Sequence, residues 1–148
     1  MDDENISLKD IYSGNKEWYK KRNHTSSEND PYTYNIIGLA MEVHNAIGPG
    51  FLEPVYQEAF ELELLSNQIP HEREEKLNIY YKDQKLKTFY KADFICFNNL
   101  IVELKSVKQL YKIDEAQVIN YLKASGLHKA LLINFGAEKL QFKRFVYN

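Results

Sequence analysis

The sequence predicts an α/β domain in which helices flank a central mixed β-sheet. Three observations carry that prediction. Apolar residues at helical spacing open the region after residue 31, period-2 alternation broken by turn residues fills residues 76–105, and one more helix leads into two short strands. The 148 residues are enough for one domain with a real core and too few for two. We expect that domain over 32–148, preceded by a polar arm at 1–31.

In the arm, Trp18 and Tyr19 sit amid Lys16, Lys20, Lys21 and Arg22, and Ser26, Ser27, Asn29 and Asp30 lead to Pro31. Such a segment reads equally as a short docking helix or as a partly disordered tail. From Tyr34 to Ile47, the residues Ile36, Ala40, Val43 and Ile47 form one helical stripe. Gly48-Pro49-Gly50 stops it, because proline disfavours a helical residue before it and glycine accepts unusual backbone angles. A second helix begins at Glu53-Pro54, with proline suited to a first turn, and runs to about Asn67. It carries two apolar stripes, Val55-Ala59-Leu62 and Tyr56-Phe60-Leu64, which predict burial on more than one side, with Glu53 at the head of the second.

Lys76–Tyr81 and Lys85–Lys91 alternate apolar with polar residues around Lys82-Asp83-Gln84, the pattern of a hairpin with one wet face. A second hairpin spans Ala92 to Lys105, with its turn at Asn98-Asn99. Val107–Tyr111 connects to a helix over Asp114–Ser125, closed by Gly126, whose Val118, Ile119 and Leu122 face the sheet. Lys129–Phe135 reads as a buried strand and Leu140–Tyr147 as the last one.

Apolar residues make up 44% and charged residues 27%, the balance of a globular domain. No stretch is apolar enough for a membrane span, and Met-Asp-Asp-Glu-Asn lacks the basic start of a signal peptide, so we expect a cytoplasmic protein without membrane contact. A single Cys96 permits no internal disulfide and reads as core packing. The net charge of −2 hides an asymmetry. Residues 33–70 hold five acidic groups and no Lys or Arg, whereas residues 71–148 hold fourteen basic groups against nine acidic ones. That excess fits a basic face or a solvated lysine-rich surface. His44 has no partner at ligand spacing and reads as a surface or cap histidine.

The chemistry concentrates in the second hairpin. A period of 2 puts Glu103 and Lys105 on one face of an aliphatic strand and Leu100, Val102 and Leu104 on the other, and the hairpin returns Asp93 toward Glu103. Charges in a buried strand are costly unless paired or metal-bound, so a salt bridge and a metal site both fit.

Asp93, nine residues, then Glu103-x-Lys105 resembles the signature of the PD-(D/E)XK nuclease superfamily, with Ala92 where its name has proline. Gly50-Phe51-Leu52-Glu53-Pro54-Val55-Tyr56 resembles the Gly-x-x-Glu-x-x-Tyr motif of the GxxExxY proteins. Met41-Glu42-Val43-His44, Glu115-Ala116-Gln117, Tyr121-Leu122 and Leu131-Leu132-Ile133-Asn134-Phe135-Gly136 are similar to further motifs of that family. The resemblance covers roughly residues 33–146 and implies a restriction-endonuclease-like core. It implies that Asp93 and Glu103 bind a divalent metal and that Lys105 orients or activates water. Glu53 would complete the metal site through a water, with Glu42 as runner-up, and Gln117 and Tyr121 would support the site or the nucleic-acid backbone.

Those residue types suit phosphodiester hydrolysis, where Mg²⁺ or Mn²⁺ held by hard oxygen ligands neutralises phosphoryl charge and makes a water nucleophilic. The expectation is a metal-dependent nuclease acting on DNA, less so on RNA, with a homodimer as one form it can take. The alternative is a module that keeps the fold and binds nucleic acid or protein without turnover.

Overall fold

The structure, a computed structural model, describes residues 30–148. The arm expected at 1–31 lies outside them except for Asp30 and Pro31, which start the first helix. The Asp30 carboxylate accepts from the Tyr32 N–H and the Thr33 hydroxyl, and Pro31 occupies the first turn of α1 (Pro31–Ile47). Then follow α2 (Glu53–Ser66), β1 (His71–Tyr81), β2 (Gln84–Cys96), β3 (Leu100–Lys105), α3 (Lys112–Ser125), β4 (Lys129–Asn134) and β5 (Gln141–Val146).

The five strands form one mixed sheet in the order β1-β2-β3-β4-β5. Only β3 and β4 run parallel, joined through α3 as a crossover. The α1/α2 layer buries Ile36, Ala40, Val43, Tyr56, Phe60 and Leu64 against Phe94, Leu100, Val102, Leu104, Leu131 and Ile133. On the other face, Val118, Tyr121 and Leu122 of α3 meet Leu77, Ala92, Ile101, Ala130 and Leu132. β3 is therefore covered on both faces. Among the described residues no helix is long and apolar enough to cross a membrane.

Several local expectations change. α2 buries only the Tyr56-Phe60-Leu64 stripe; Val55 and Leu62 are 40% and 63% exposed, because α2 meets the sheet along one line and turns its other stripe away. Glu53 heads the buried stripe but is itself exposed. The first hairpin is longer than the alternation suggested, with β2 running unbroken into the Asp93 segment. In the second hairpin the left-handed residues are Phe97 and Asn98 rather than Asn98 and Asn99. Burial explains the shift: Phe97 stacks on Tyr32 at 4.0 Å, and its N–H donates to the Pro70 carbonyl. His44 is not a surface residue. It is buried, and its Nε2 lies 3.0 Å from the Ala137 carbonyl oxygen, which ties α1 to the loop after β4.

Candidate functional site

The ladder between β2 and β3 runs from Cys96↔Leu100 to Phe94↔Val102 and stops there. Where Asp93 would face Glu103, side chains replace the ladder. The Asp93 N–H donates to Glu103 Oε1 at 2.7 Å, and the Leu104 N–H donates to Asp93 Oδ2 at 2.8 Å. On the β1 side, Glu74 lies between the pairs Arg73↔Phe94 and Glu75↔Ala92 and adopts a left-handed φ of 54°. Ala92 packs with the α3 layer while Phe94 packs with the α1/α2 layer, so β2 twists at Asp93. The twist opens the sheet locally, and the two carboxylates occupy the opening.

This arrangement is electrostatically loaded. Glu103 is 5% exposed. Burial first, and then the negative charge of Asp93, push its carboxyl up to about 9. Asp93 is half-buried and is also raised, chiefly by burial and further by Glu53, against the lowering effect of the Leu104 N–H. Lys105 favours the ionised form of both but does not cancel the penalty. Two carboxylates in this setting call for a proton or a cation between them.

Glu53 lines a pocket of about 250 Å³ together with Pro54, Gln57, Glu74, Asp93 and Leu104. Its position follows from the Gly50-to-Tyr56 segment. Gly50 takes φ +110°, the Tyr56 hydroxyl donates to the Gly48 carbonyl at 2.5 Å and accepts from the Phe51 N–H, and the Tyr56 ring stacks on Phe135 at 4.7 Å. Ser106 Oγ donates to the Phe51 carbonyl, which joins this loop to the end of β3. Among the described residues no three His, Cys, Asp or Glu side chains gather closely enough to hold an ion directly. Glu53 lines this pocket with Asp93 without forming a three-ligand cluster with the Asp93–Glu103 pair. Glu42 is exposed on α1 and does not line that pocket.

On the α3 side, Lys105 lines a second pocket of about 470 Å³ with Tyr90, Ile113, Asp114, Ala116, Gln117 and Asn120. Its ammonium lies 3.9 Å from Asp114, whose other oxygen accepts from the Tyr111 N–H at the start of α3. Gln117 donates to the Tyr121 hydroxyl at 3.0 Å. Tyr121 is buried beside Tyr90, and burial together with the charge of Glu103 pushes it up to about 12. Asp93, Glu103 and Lys105 of the sheet thus face Gln117 and Tyr121 of α3 closely enough for their charges to act on Tyr121 or on one another, and a depression of about 610 Å³ between β1 and the end of α3 holds none of them.

Sequence reading missed the groups behind this front. Gln57, 8% exposed, donates to Asp93 Oδ1 at 3.3 Å. Arg73 donates to Gln57 Oε1 at 3.1 Å and to Glu61 at 2.7 Å, and Glu61 is also 2.9 Å from His71. Arg73 and His71 together hold Glu61 below the ordinary carboxylate range despite its burial cost. One signal was present: Gln57 and Glu61 lie four apart on α2, the spacing that puts two side chains on one helix face. Asn134, part of the motif at 131–136, was given no role. Its side chain bonds the N–H and the carbonyl of Val107, the Gly136 N–H and Gln141, which fixes the loop after Lys105.

A twisted five-stranded mixed sheet flanked by three helices, with paired carboxylates where its central strands separate, defines an α/β protein of the restriction-endonuclease-like class. A family model described as the PD-(D/E)XK nuclease superfamily matches residues 30–145, and the chain belongs to that superfamily. The superfamily implies a nucleic-acid substrate and, in general, divalent-metal chemistry. Among solved structures, one titled "Crystal structure of SSO0001" resembles the chain with a TM-score of 0.53 at 17% identity, over 63% of this chain and 48% of that one. The chain thus spans about half the length of that protein, and the likeness concerns the fold alone. No curated protein matches the chain.

Proposed function

We propose that this protein is a divalent-metal-dependent nuclease of the GxxExxY group, hydrolysing phosphodiester bonds in DNA in preference to RNA. The observation that carries this reading is the reciprocal bonding of Asp93 and Glu103 across the strand opening, with both carboxyls raised chiefly by burial, Glu103 further by Asp93 and Asp93 further by Glu53. The donor set fits a hard cation such as Mg²⁺ or Mn²⁺: two carboxylates with surplus negative charge, and Glu53 lining the Asp93 pocket to act through a water. When bound, such an ion supplies charge neutralisation at the phosphoryl oxygen and acidifies a water.

The chain's own groups do the remaining work. Asp93 and Glu103 are each held by a backbone N–H group, and Asp93 also by Gln57, so both carboxylates are fixed in orientation before a ligand arrives. Lys105, 3.9 Å from Asp114, lies on the α3 side, where its charge acts on both carboxylates and would orient the water and offset charge on the phosphate. Gln117 and Tyr121 form a hydrogen-bonded wall toward which the backbone of the substrate packs.

The test is cleavage of end-labelled duplex DNA and of matched RNA with Mg²⁺, Mn²⁺ or EDTA. Cleavage with either ion, lost in Asp93→Asn, Glu103→Gln and Lys105→Met variants that melt cooperatively, supports the reading. Full activity in those variants refutes it. Metal-independent DNA binding without cleavage would assign the chain to the non-catalytic class.

A further inference from the structure

The β1–β2 hairpin continues well past the helices that cover the sheet. Tyr80 and Tyr81 are 61% and 62% exposed, and Leu86 and Phe89 are each 40% exposed. Residues 76–91 contain five lysines, Lys76, Lys82, Lys85, Lys87 and Lys91, and one acid, Asp83. Among the described residues no ion pair satisfies Lys76, Lys85, Lys87 or Lys91. Lys76 and Lys91 stand directly opposite each other in the ladder, an unfavourable like-charge pair for an isolated sheet.

Direction and shape are also set. Leu77 and Tyr90 pair with each other and pack toward α3, so by alternation Phe89 and Lys91 turn to the opposite face, while Lys76 and Asn78, on the edge strand, also border the depression between β1 and the end of α3. The Lys76 ammonium lies 4.3 Å from the Phe89 ring centre, and Lys82 lies 5.5 Å from that of Tyr81. Each ring is therefore topped by a cation, which suits contact with phosphate better than stacking on bases. Between the pairs Asn78↔Phe89 and Tyr80↔Lys85, β2 spends four steps against two on β1, a bulge that tightens the twist of the ribbon. At its base, Tyr90 lines the Lys105 pocket and Lys91 is two residues from Asp93. Charge changes sign along β1 at the same level: Glu72, Glu74 and Glu75 lie on the site side and Lys76 begins the basic stretch. Lys87 is up to about 20 Å from Asp93 along the strand, roughly six phosphates of a B-form strand.

We propose that this hairpin is the arm that grips the phosphate backbone of duplex nucleic acid flanking the bond held at Asp93 and Glu103. Lys76 and Lys91 meet the nearer phosphates, and Lys85, Lys87 and Lys82 the farther ones. The partner's identity rests on the nuclease reading; the arm's basic, backbone-directed chemistry does not. Recognition is by charge and shape, so binding is independent of sequence.

The experiment measures binding of a fluorescein-labelled 20-base-pair duplex by anisotropy, in EDTA and in Ca²⁺, across a salt series, and needs no turnover. In Lys76→Gln/Lys91→Gln, the slope of log affinity against log salt falls by about two, equally for two unrelated duplex sequences. Lys139→Gln, an exposed lysine between β4 and β5, leaves the slope unchanged. If the double variant melts without cooperativity, Lys85→Gln and Lys87→Gln take its place, each with an expected loss of about one. An unchanged slope in folded hairpin variants, an equal loss in Lys139→Gln, or no binding by the wild type at 50 mM salt overturns the proposal. Wild-type DNA cleavage alongside an unchanged slope removes the arm and keeps the nuclease; a lysine-dependent slope without cleavage under any metal does the reverse.

Discussion

Replacing Glu103 by Gln should stabilise the metal-free protein at alkaline pH. The substitution keeps the shape and leaves a carbonyl oxygen to accept the Asp93 N–H, while its amide can donate toward Asp93. It removes an ionisable carboxyl that burial and Asp93 push from 4.5 to about 9. The sign follows from proton linkage. Below about pH 4.5 the group is neutral whether the chain is folded or not, and Glu and Gln should be equivalent. As pH rises toward 9, the unfolded chain releases the proton and the folded one retains it, so the wild type loses stability that the variant does not. Asp93 carries part of the same burden, so Glu103 alone accounts for on the order of 2–3 kcal/mol at pH 8. For a domain of this size that is about 6–12 °C in Tm. Thermal melts in EDTA at pH 5, 6.5 and 8 measure it: the variant-minus-wild-type gap should open with pH. A variant less stable than the wild type at pH 8, or a gap that does not change with pH, would refute the electrostatic account of the site.

Other outcomes follow from the same geometry. Mn²⁺ should raise the wild-type Tm, by more at pH 8 than at pH 6 because metal binding must displace the proton on the carboxylate pair, and should leave Glu103→Gln nearly unmoved; calorimetric titration gives the affinities. Gln57→Leu leaves Asp93 without its helix-borne donor and Arg73 without one acceptor, and should weaken Mn²⁺ affinity by about 10–100-fold with a smaller change in Tm. Gly136→Ala places a Cβ 2.4 Å from both the Val107 nitrogen and oxygen, which are backbone atoms, and should cost about 1–3 kcal/mol in urea unfolding by pushing the loop after Lys105 away from β4.

The fold was legible because its periodicities are strong where its layers are. The α1 stripe at Ile36, Ala40 and Val43, though not its last member Ile47, which is exposed, the buried β4 run, the Gly126 stop of α3 and the alternation that puts Glu103 opposite Val102 and Leu104 all express burial against a single sheet. α2 misled because its second apolar stripe lacks a covering layer among the described residues, and hydrophobicity alone does not say which of two stripes finds the sheet. Phe97 misled in the opposite sense. Asn98-Asn99 has the better local turn chemistry, but burial of an aromatic ring on Tyr32 outweighs the cost of a left-handed phenylalanine.

The groups that hold the site in place were illegible for a different reason. Asp93 and Glu103 could be paired from a short hairpin, whereas the chain of bonds from Asp93 through Gln57 and Arg73 to Glu61 and His71 joins residues 10 to 36 positions apart. Apart from the four-residue spacing of Gln57 and Glu61 on α2, no sequence period links them; the angle at which α2 lies across β1 and β2 does. That angle is fixed by the Tyr56-Phe60-Leu64 stripe and by the loop pinned through Tyr56 and Ser106. Core packing and the orientation of Asp93 are thus one problem. A helix rotated by one residue would keep much of its hydrophobic contact and still lose Gln57 from the carboxylate, so α2 must be positioned more tightly than stability alone requires.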